Sequence, residues 1–367
     1  MEKVRYLEKF TSRKVDATAR AGNRRPSDSL RTVIGEYLQL AVSGVRSDAV
    51  GKKIRLHLLR FRDFFMGVYG HDRISACLKR DVLAWQGQLA ARGLAASTVN
   101  NHLASLSGFT TWVSAQDPDA FPLGDPAKSI GELGLPPLEP RVLTETQVRS
   151  LKNVCDRLER FHQLKGRRWH SNAPVRAYGR PCRDRAIVFV LLSSGLRREE
   201  LVRLDLDQLS PNTPEELRDA RRARINRVKG KGKTQRVVFL SADARTALAD
   251  YLEKERPLDA GEGTEALFLS AAALSTRKSD GRLSPRSINL ILERIGQWHD
   301  GEIKDLDRHI SPLRPHDLRH TFAFQLAAVT GADAYELERR LGHRSQRYIN
   351  RYTNPPEHVA ASYVEDF

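Results

Sequence analysis

The tightest constraint on the fold is a helical period that holds from Ser29 to about residue 116. "SLRTVIGEYLQLAV" sets Leu30, Val33, Ile34, Tyr37, Leu38 and Val42 on one stripe. "KKIRLHLLRFRDFFMGVYG" repeats the pattern with Ile54, Leu58, Leu59, Phe61, Phe64 and Phe65. "KRDVLAWQGQLAARG" then ends at Gly93, a residue suited to closing a helix, and "STVNNHLASLSGFTTWV" opens at Ser97, a capping residue type. About four helices with no convincing strand between them describe a helical domain. At 367 residues the chain is too long for one ordinary small domain and fits two.

The period breaks at "DPAKSIGELGLPPLEP", where prolines and glycines read as a linker. A second domain opens at "LTETQ", where Thr144 and Gln147 have capping-box spacing. Here the pattern mixes types. "RDRAIVFVLLSSGL" is a buried helix ended by Gly195, and "RARINRV" and "QRVVFL" are strands flanking "KGKGK", the tip of a β-hairpin. "SPRSINLILERIGQW" and "RPHDLRHTFAFQLAAV" are further helices, the latter with Pro315 in the favoured first turn. The expected fold class is therefore mainly α with a small antiparallel β-sheet in the second domain. The expected limits are an N-terminal arm (1–27), a helical domain (28–120), a linker (121–141), a second domain (142–354) and a tail (355–367).

Charge narrows the function. Lys and Arg number 61 against 45 Asp and Glu, a formal +16, which points to a polyanion, nucleic acid first, with an anionic membrane surface as competitor. No apolar run of about eighteen residues offers a membrane span. "MEKVRYLEKF" lacks the apolar centre of a signal peptide, and Cys77, Cys155 and Cys182 form neither metal spacing nor a disulfide framework, so the expected location is the cytoplasm. Two segments concentrate the basic charge. Residues 1–27 form an arm or a solvated terminus, and residues 157–185 interleave Trp169 and Tyr178 with Arg167, Arg168, Arg180 and other cations. The second is either a DNA-contacting extension or a solvated insertion. Arg167, Arg168, Arg180, Lys229, Lys233 and Arg236 are the candidate phosphate contacts.

Four signals follow in order along the second domain. In "SSGLRREEL", Arg197 stands at a helix start, where its planar fork can meet a phosphate. In "VKGKGKTQRVV", Lys231 sits between glycines and can approach a nucleic-acid backbone or donate a proton. In "RPHDLRHTF", His316 and Arg319 share a helix face, with Leu318, Phe322 and Leu326 anchoring the other; His316 and His320 also have a metal-type spacing, though without the glutamate of HExxH. In "LGHRSQRYINRYT", His343 follows a Leu-Gly turn and Tyr352 comes nine positions later, ahead of Pro355 and Pro356. Singly, each is better explained by solvation or packing than by function. Together they suit one chemistry. Arginines and histidines hold the non-bridging oxygens of a phosphodiester, a lysine protonates the departing oxygen, and a tyrosine hydroxyl attacks. No carboxylate cluster suited to Mg²⁺ accompanies them, so neither metal nor cofactor is expected.

"SGLRREEL", "GKGKTQRVV", "PHDLRHTFA" and "LGHRSQRYINRYT" together resemble the catalytic signature of the tyrosine recombinases, the phage integrase family. The resemblance covers about residues 142–360 of the chain, and residues 29–116 are more loosely similar to the family's core DNA-binding domain. It implies that Arg197, Lys231, His316, Arg319, His343 and Tyr352 are catalytic, with Lys231 as general acid, Tyr352 as nucleophile and Glu200 steadying the site. Tyr348 does not fit the nucleophile spacing and reads as packing or a backbone contact. Arg198-Glu199 departs from the usual apolar-Ser pair, and Phe239 stands where a proline is common. The resemblance further implies a two-domain C-shaped clamp on double-stranded DNA bearing specific sites, a 3′-phosphotyrosyl intermediate, and a homo-oligomer, tetrameric in the synapse, working without metal, ATP or membrane in the bacterial cytoplasm or nucleoid. Rival readings are a type IB topoisomerase-like relaxing enzyme, a DNA-binding regulator with an inactive site and, more distantly, a metal nuclease.

Overall fold

A computed structural model of the chain describes residues 27–135, 140–162, 179–230 and 234–342. The chain divides into two compact units, Met1–Leu138 and Glu139–Phe367. It is mostly helical, with one small sheet among the described residues.

The first unit is built on α1 (Leu30–Tyr37), α2 (Asp48–Tyr69), α3 (Lys79–Ala91) and α4 (Ala96–Gln116). The expected stripes face inward, with Leu30, Ile34, Leu58, Phe61, Phe65, Trp85, Leu106 and Phe109 buried together. The caps are set by local chemistry. The Ser29 hydroxyl accepts from Thr32 N–H, Asp81 accepts from Leu78 N–H at 2.8 Å, and Gly70 closes α2 at φ +70°. Ser97, expected to cap α4, lies inside its first turn instead; the cap position is Ala95, which makes no side-chain cap bond. The proline- and glycine-rich segment read as a linker is packed on this unit over part of its length. Phe121 is buried, and Asn100 exchanges two 2.9 Å bonds with the Leu133 backbone.

The second unit opens on α5 (Glu145–Cys155), where Thr144 and Gln147 form the expected reciprocal cap at 3.2 and 3.0 Å. Next comes α6 (Pro181–Ser194), buried along nearly its whole length. Ile187, Val188, Val190 and Leu191 lie fully inside, each contributing roughly 1.5–3 kcal/mol by removal from water. The chain continues through α7 (Arg198–Val202), β1 (Leu209–Ser210), α8 (Pro214–Asp219), β2 (Ala223–Lys229) and β3 (Gln235–Leu240). It then runs through α9 (Ala242–Lys254), α10 (Arg256–Asp259), α11 (Pro285–Glu302), α12 (Pro315–Thr330) and α13 (Ala334–Leu341).

The strands form a three-stranded antiparallel sheet in the order β1-β2-β3. Between Ile225 and Val228 the ladder is irregular, and Arg227 takes a left-handed conformation at φ +53°. The buried Gln208 donates to the carbonyls of Asn226 and Arg227, at 3.0 and 2.9 Å, satisfying backbone oxygens at the irregularity. Beyond it Val228 faces the core and Lys229 faces out.

Candidate active site

The site is assembled from turns that end helices. α6 stops at Gly195, which takes φ +58°, a conformation that glycine adopts without penalty. A Cβ there would come within 2.3 Å of Phe322 Cδ1, so the position excludes side chains on two grounds. The turn delivers Arg197 to the cap position of α7 in extended conformation, its side chain 29% exposed.

Glu200, one turn on, is buried and accepts from four donors. Arg197 gives Nη1 to Oε1 at 2.9 Å and its backbone N to Oε2 at 2.8 Å; Arg236 gives Nη1 to Oε1 at 3.0 Å and Nη2 to Oε2 at 2.7 Å. Burial alone would raise this carboxyl. The bonds and charge of Arg236, joined by those of Arg197, outweigh it and hold the group at about 2.

On α12, Pro315 occupies the first turn as expected. Arg319 is buried, donating Nη1 to the Gly195 carbonyl and Nη2 to the Leu341 carbonyl at 2.7 Å. It thus ties the end of α6 to the end of α13, immediately ahead of Gly342 and the "HRSQRY" motif. His316 is exposed, yet partial desolvation and then the charges of Arg319, Arg197 and Arg198 hold it below the ordinary imidazole value. Its ring and that of His320 lie 6.2 Å apart between centroids. Leu318 is fully buried as expected, whereas Phe322 and Leu326 pack, half-buried, against a small cluster that includes Phe324 and Leu337.

Arg197, Glu200, His316 and Arg319 therefore converge. Lys231, Lys233, His343, Tyr348, Tyr352, Arg167 and Arg168 lie outside the described residues. The hairpin around Lys231 is closed by a 2.8 Å bond from Gly230 N–H to the Thr234 carbonyl. Lys229 is exposed at the end of β2. Two expected phosphate contacts are corrected by their surroundings. Arg180 is buried in a forked pair with Asp259, with both bonds at 2.6 Å, and Arg236 is occupied by Glu200 with its side chain only 9% exposed. Desolvated and neutralised in this way, neither guanidinium is presented to solvent as a phosphate contact. The structural weight of Arg236 was the feature missed in the sequence. Arg236, Val238 and Leu240 share strand parity, and an arginine on the apolar face of a strand requires a carboxylate.

Residues 142–358 match the phage integrase family. The chain is 28% identical over 306 residues to a tyrosine recombinase XerC from Bifidobacterium longum subsp. infantis, covering 75% of this chain and 79% of that one. It is 36% identical over 176 residues to the tyrosine recombinase XerC of Myxococcus xanthus, covering 47% of this chain and 50% of that relative. Among solved structures it is similar to a Tn1549 transposon integrase in complex with transposon right end DNA, with a TM-score of 0.63, 16% identity, and 92% and 99% of the two chains covered. It is also similar to XerH site-specific recombinase bound to difH substrate, with a TM-score of 0.59, 18% identity, and 92% and 84% covered. At these identities the structural likenesses speak to the fold.

Proposed function

The chain belongs to the phage integrase family of tyrosine recombinases and is a site-specific DNA recombinase; on that premise we propose that it cuts and rejoins DNA through a 3′-phosphotyrosyl intermediate, using no metal or ATP. The Tyr352 hydroxyl attacks the scissile phosphorus and gives its proton to a neighbouring base. The bond from phosphorus to the 5′ oxygen breaks, and Lys231 protonates that oxygen, leaving a free 5′-hydroxyl. The 5′-hydroxyl of a partner strand then reverses the step, so the bond energy is kept in the covalent link.

Arg197 and Arg319 offset the charge that builds on the non-bridging oxygens. His316 and His343 add hydrogen bonds. Desolvation and then the neighbouring cations lower the His316 pKa, and an arriving phosphodiester anion counters them. One observation supports this reading most directly: Arg319 is bonded both to the Gly195 turn that presents Arg197 and to the Leu341 carbonyl ahead of the Tyr352 motif. In this reading residues 28–120 and 142–354 are the core DNA-binding and catalytic domains, and Lys229, Lys233, Arg167 and Arg168 contact phosphates. Four copies of the chain form the synapse, and the enzyme works where the DNA is, in the cytoplasm or nucleoid. Its substrate is a mobile element or a chromosomal site.

The test is covalent capture on genomic or element-end DNA, with the adduct mapped to one residue and one phosphate. Tyr352→Phe keeps the ring and loses the attacking oxygen, so it should bind DNA as wild type does and form no adduct. Adduct formation by Tyr352→Phe but not by Tyr348→Phe overturns the assignment. Relaxation of DNA with no Holliday junction between two mapped sites favours the topoisomerase reading.

A further inference from the structure

Arg236 enters the site from β3, on the inward face that it shares with Val238 and Leu240, where an unpaired guanidinium is strongly disfavoured. Its fork covers both oxygens of Glu200, while its Nε donates to the Arg340 carbonyl at 2.9 Å. That carbonyl belongs to the last turn of α13, where a cation is favoured by the helix dipole. The next turn is fitted to the same guanidinium. Gly342 takes φ +62°, and a Cβ on it would lie 3.1 Å from Arg236 Nη1.

Glu200 therefore serves two arginines with one negative charge. If Arg236 were absent, the buried carboxylate would face Arg197 alone and draw its whole fork into a bidentate pair, because an unsatisfied buried carboxylate is costly. Arg197 would then be neutralised and turned away from a substrate. With Arg236 satisfying both oxygens, the cluster keeps one positive charge in excess, and Arg197, which spends one side-chain bond on Glu200, retains it.

We propose that Arg236 is a positioning residue for strand cleavage, holding Arg197 charged and aimed at the scissile phosphate through the shared Glu200 carboxylate, and that it makes no DNA contact of its own. This rests on the reading of the site given above. Lysine cannot substitute, since a point charge lacks both the fork and the Nε donor that fixes the fork's plane.

The experiment measures single-turnover adduct formation by the full chain at saturating enzyme. The substrate is a nicked duplex bearing the mapped site, made with a normal scissile phosphate or with a methylphosphonate there. The methyl group replaces one non-bridging oxygen and removes the charge that Arg197 offsets. On the normal phosphate, Arg236→Gln should slow adduct formation about 100-fold, the loss typical of one transition-state donor, with DNA affinity within about threefold of wild type. On the methylphosphonate, the gap between wild type and Arg236→Gln should shrink below about tenfold. Arg236→Lys should behave like Arg236→Gln, and carries the test if the glutamine variant does not fold. An equal defect on both substrates means a merely structural role and overturns the proposal. So does weakened DNA affinity at an unchanged rate, which would make Arg236 a direct phosphate contact. If wild type forms no adduct on either duplex, the functional reading itself fails and the inference falls with it.

Discussion

Gly195→Ala probes the turn that presents Arg197, and its cost can be worked from the structure. The residue sits at φ +58°, where an L side chain costs about 1–2 kcal/mol over glycine. The new Cβ would also lie 2.3 Å from Phe322 Cδ1 and 3.0 Å from Cε1, an overpacking that typically costs about 1–3 kcal/mol. The sum is about 2–5 kcal/mol, or a fall of about 5–15 °C in the melting temperature of a unit of this size. The two parts separate in a double-mutant cycle. In a Phe322→Ala background the steric part vanishes and only the backbone part of about 1–2 kcal/mol remains, so the coupling should be about 1–3 kcal/mol. Thermal and urea melts of the four proteins, scored on the transition of the second unit, give the cycle. An identical cost of Gly195→Ala in both backgrounds would refute the steric argument. No cost in either would refute the left-handed turn.

Three further outcomes are expected. Lys231→Ala should cripple cleavage of normal DNA yet recover largely on a substrate with sulfur at the 5′-bridging position, because a thiolate leaves without a proton; equal impairment on both removes Lys231 from the general-acid role. Cleavage should persist in excess EDTA, since the proposed mechanism draws the positive charge at the phosphate from arginines; loss that Mg²⁺ or Zn²⁺ restores would favour a metal nuclease. Glu200 titrates at about 2 in the folded chain against an ordinary 4.5, so its contribution is complete above about pH 4.5 and is lost as pH falls towards 2. That difference corresponds to about 3 kcal/mol, and Glu200→Gln should flatten the acid limb of stability by about that amount in urea melts across the window. An unchanged acid limb would mean the carboxylate is not held as described.

Where apolar spacing decides structure, the sequence was readable. The stripes of α1 and α2, the reciprocal cap at Thr144 and the Gly195 stop all stand where one-dimensional pattern places them, because each depends on neighbours within a turn or two. The "RREEL" turn is just as local, with Glu200 reaching back to the Arg197 backbone three residues away, but with no Ser or Thr at the cap position the pattern did not signal it. What could not be read depends on distant partners. Arg180 and Arg236 look alike in a basic sequence, and only the approach of Asp259 and of Glu200 shows both guanidiniums turned inward. Ser97 looked like a cap by residue type, yet the backbone enters α4 two residues earlier. Phe239, exposed on β3, lies 4.8 Å beneath the Arg340 guanidinium, a contact across 101 residues of chain that no local pattern foretells.

The irregularity at Arg227 gives the hairpin a grammar of its own. A strand alternates its side chains, and the extra residue between Ile225 and Val228 resets that count, sending Val228 inward and Lys229 outward. Losing that extra residue would restore two-residue spacing, so Ile225 and Val228 would both still face inward on a regular ladder; losing a second would act as a reading-frame error in side-chain direction, burying a lysine and exposing a valine. Anyone transplanting this hairpin into a relative must move Gln208 with it, because the amide that satisfies the two carbonyls is stored outside the strands it stabilises.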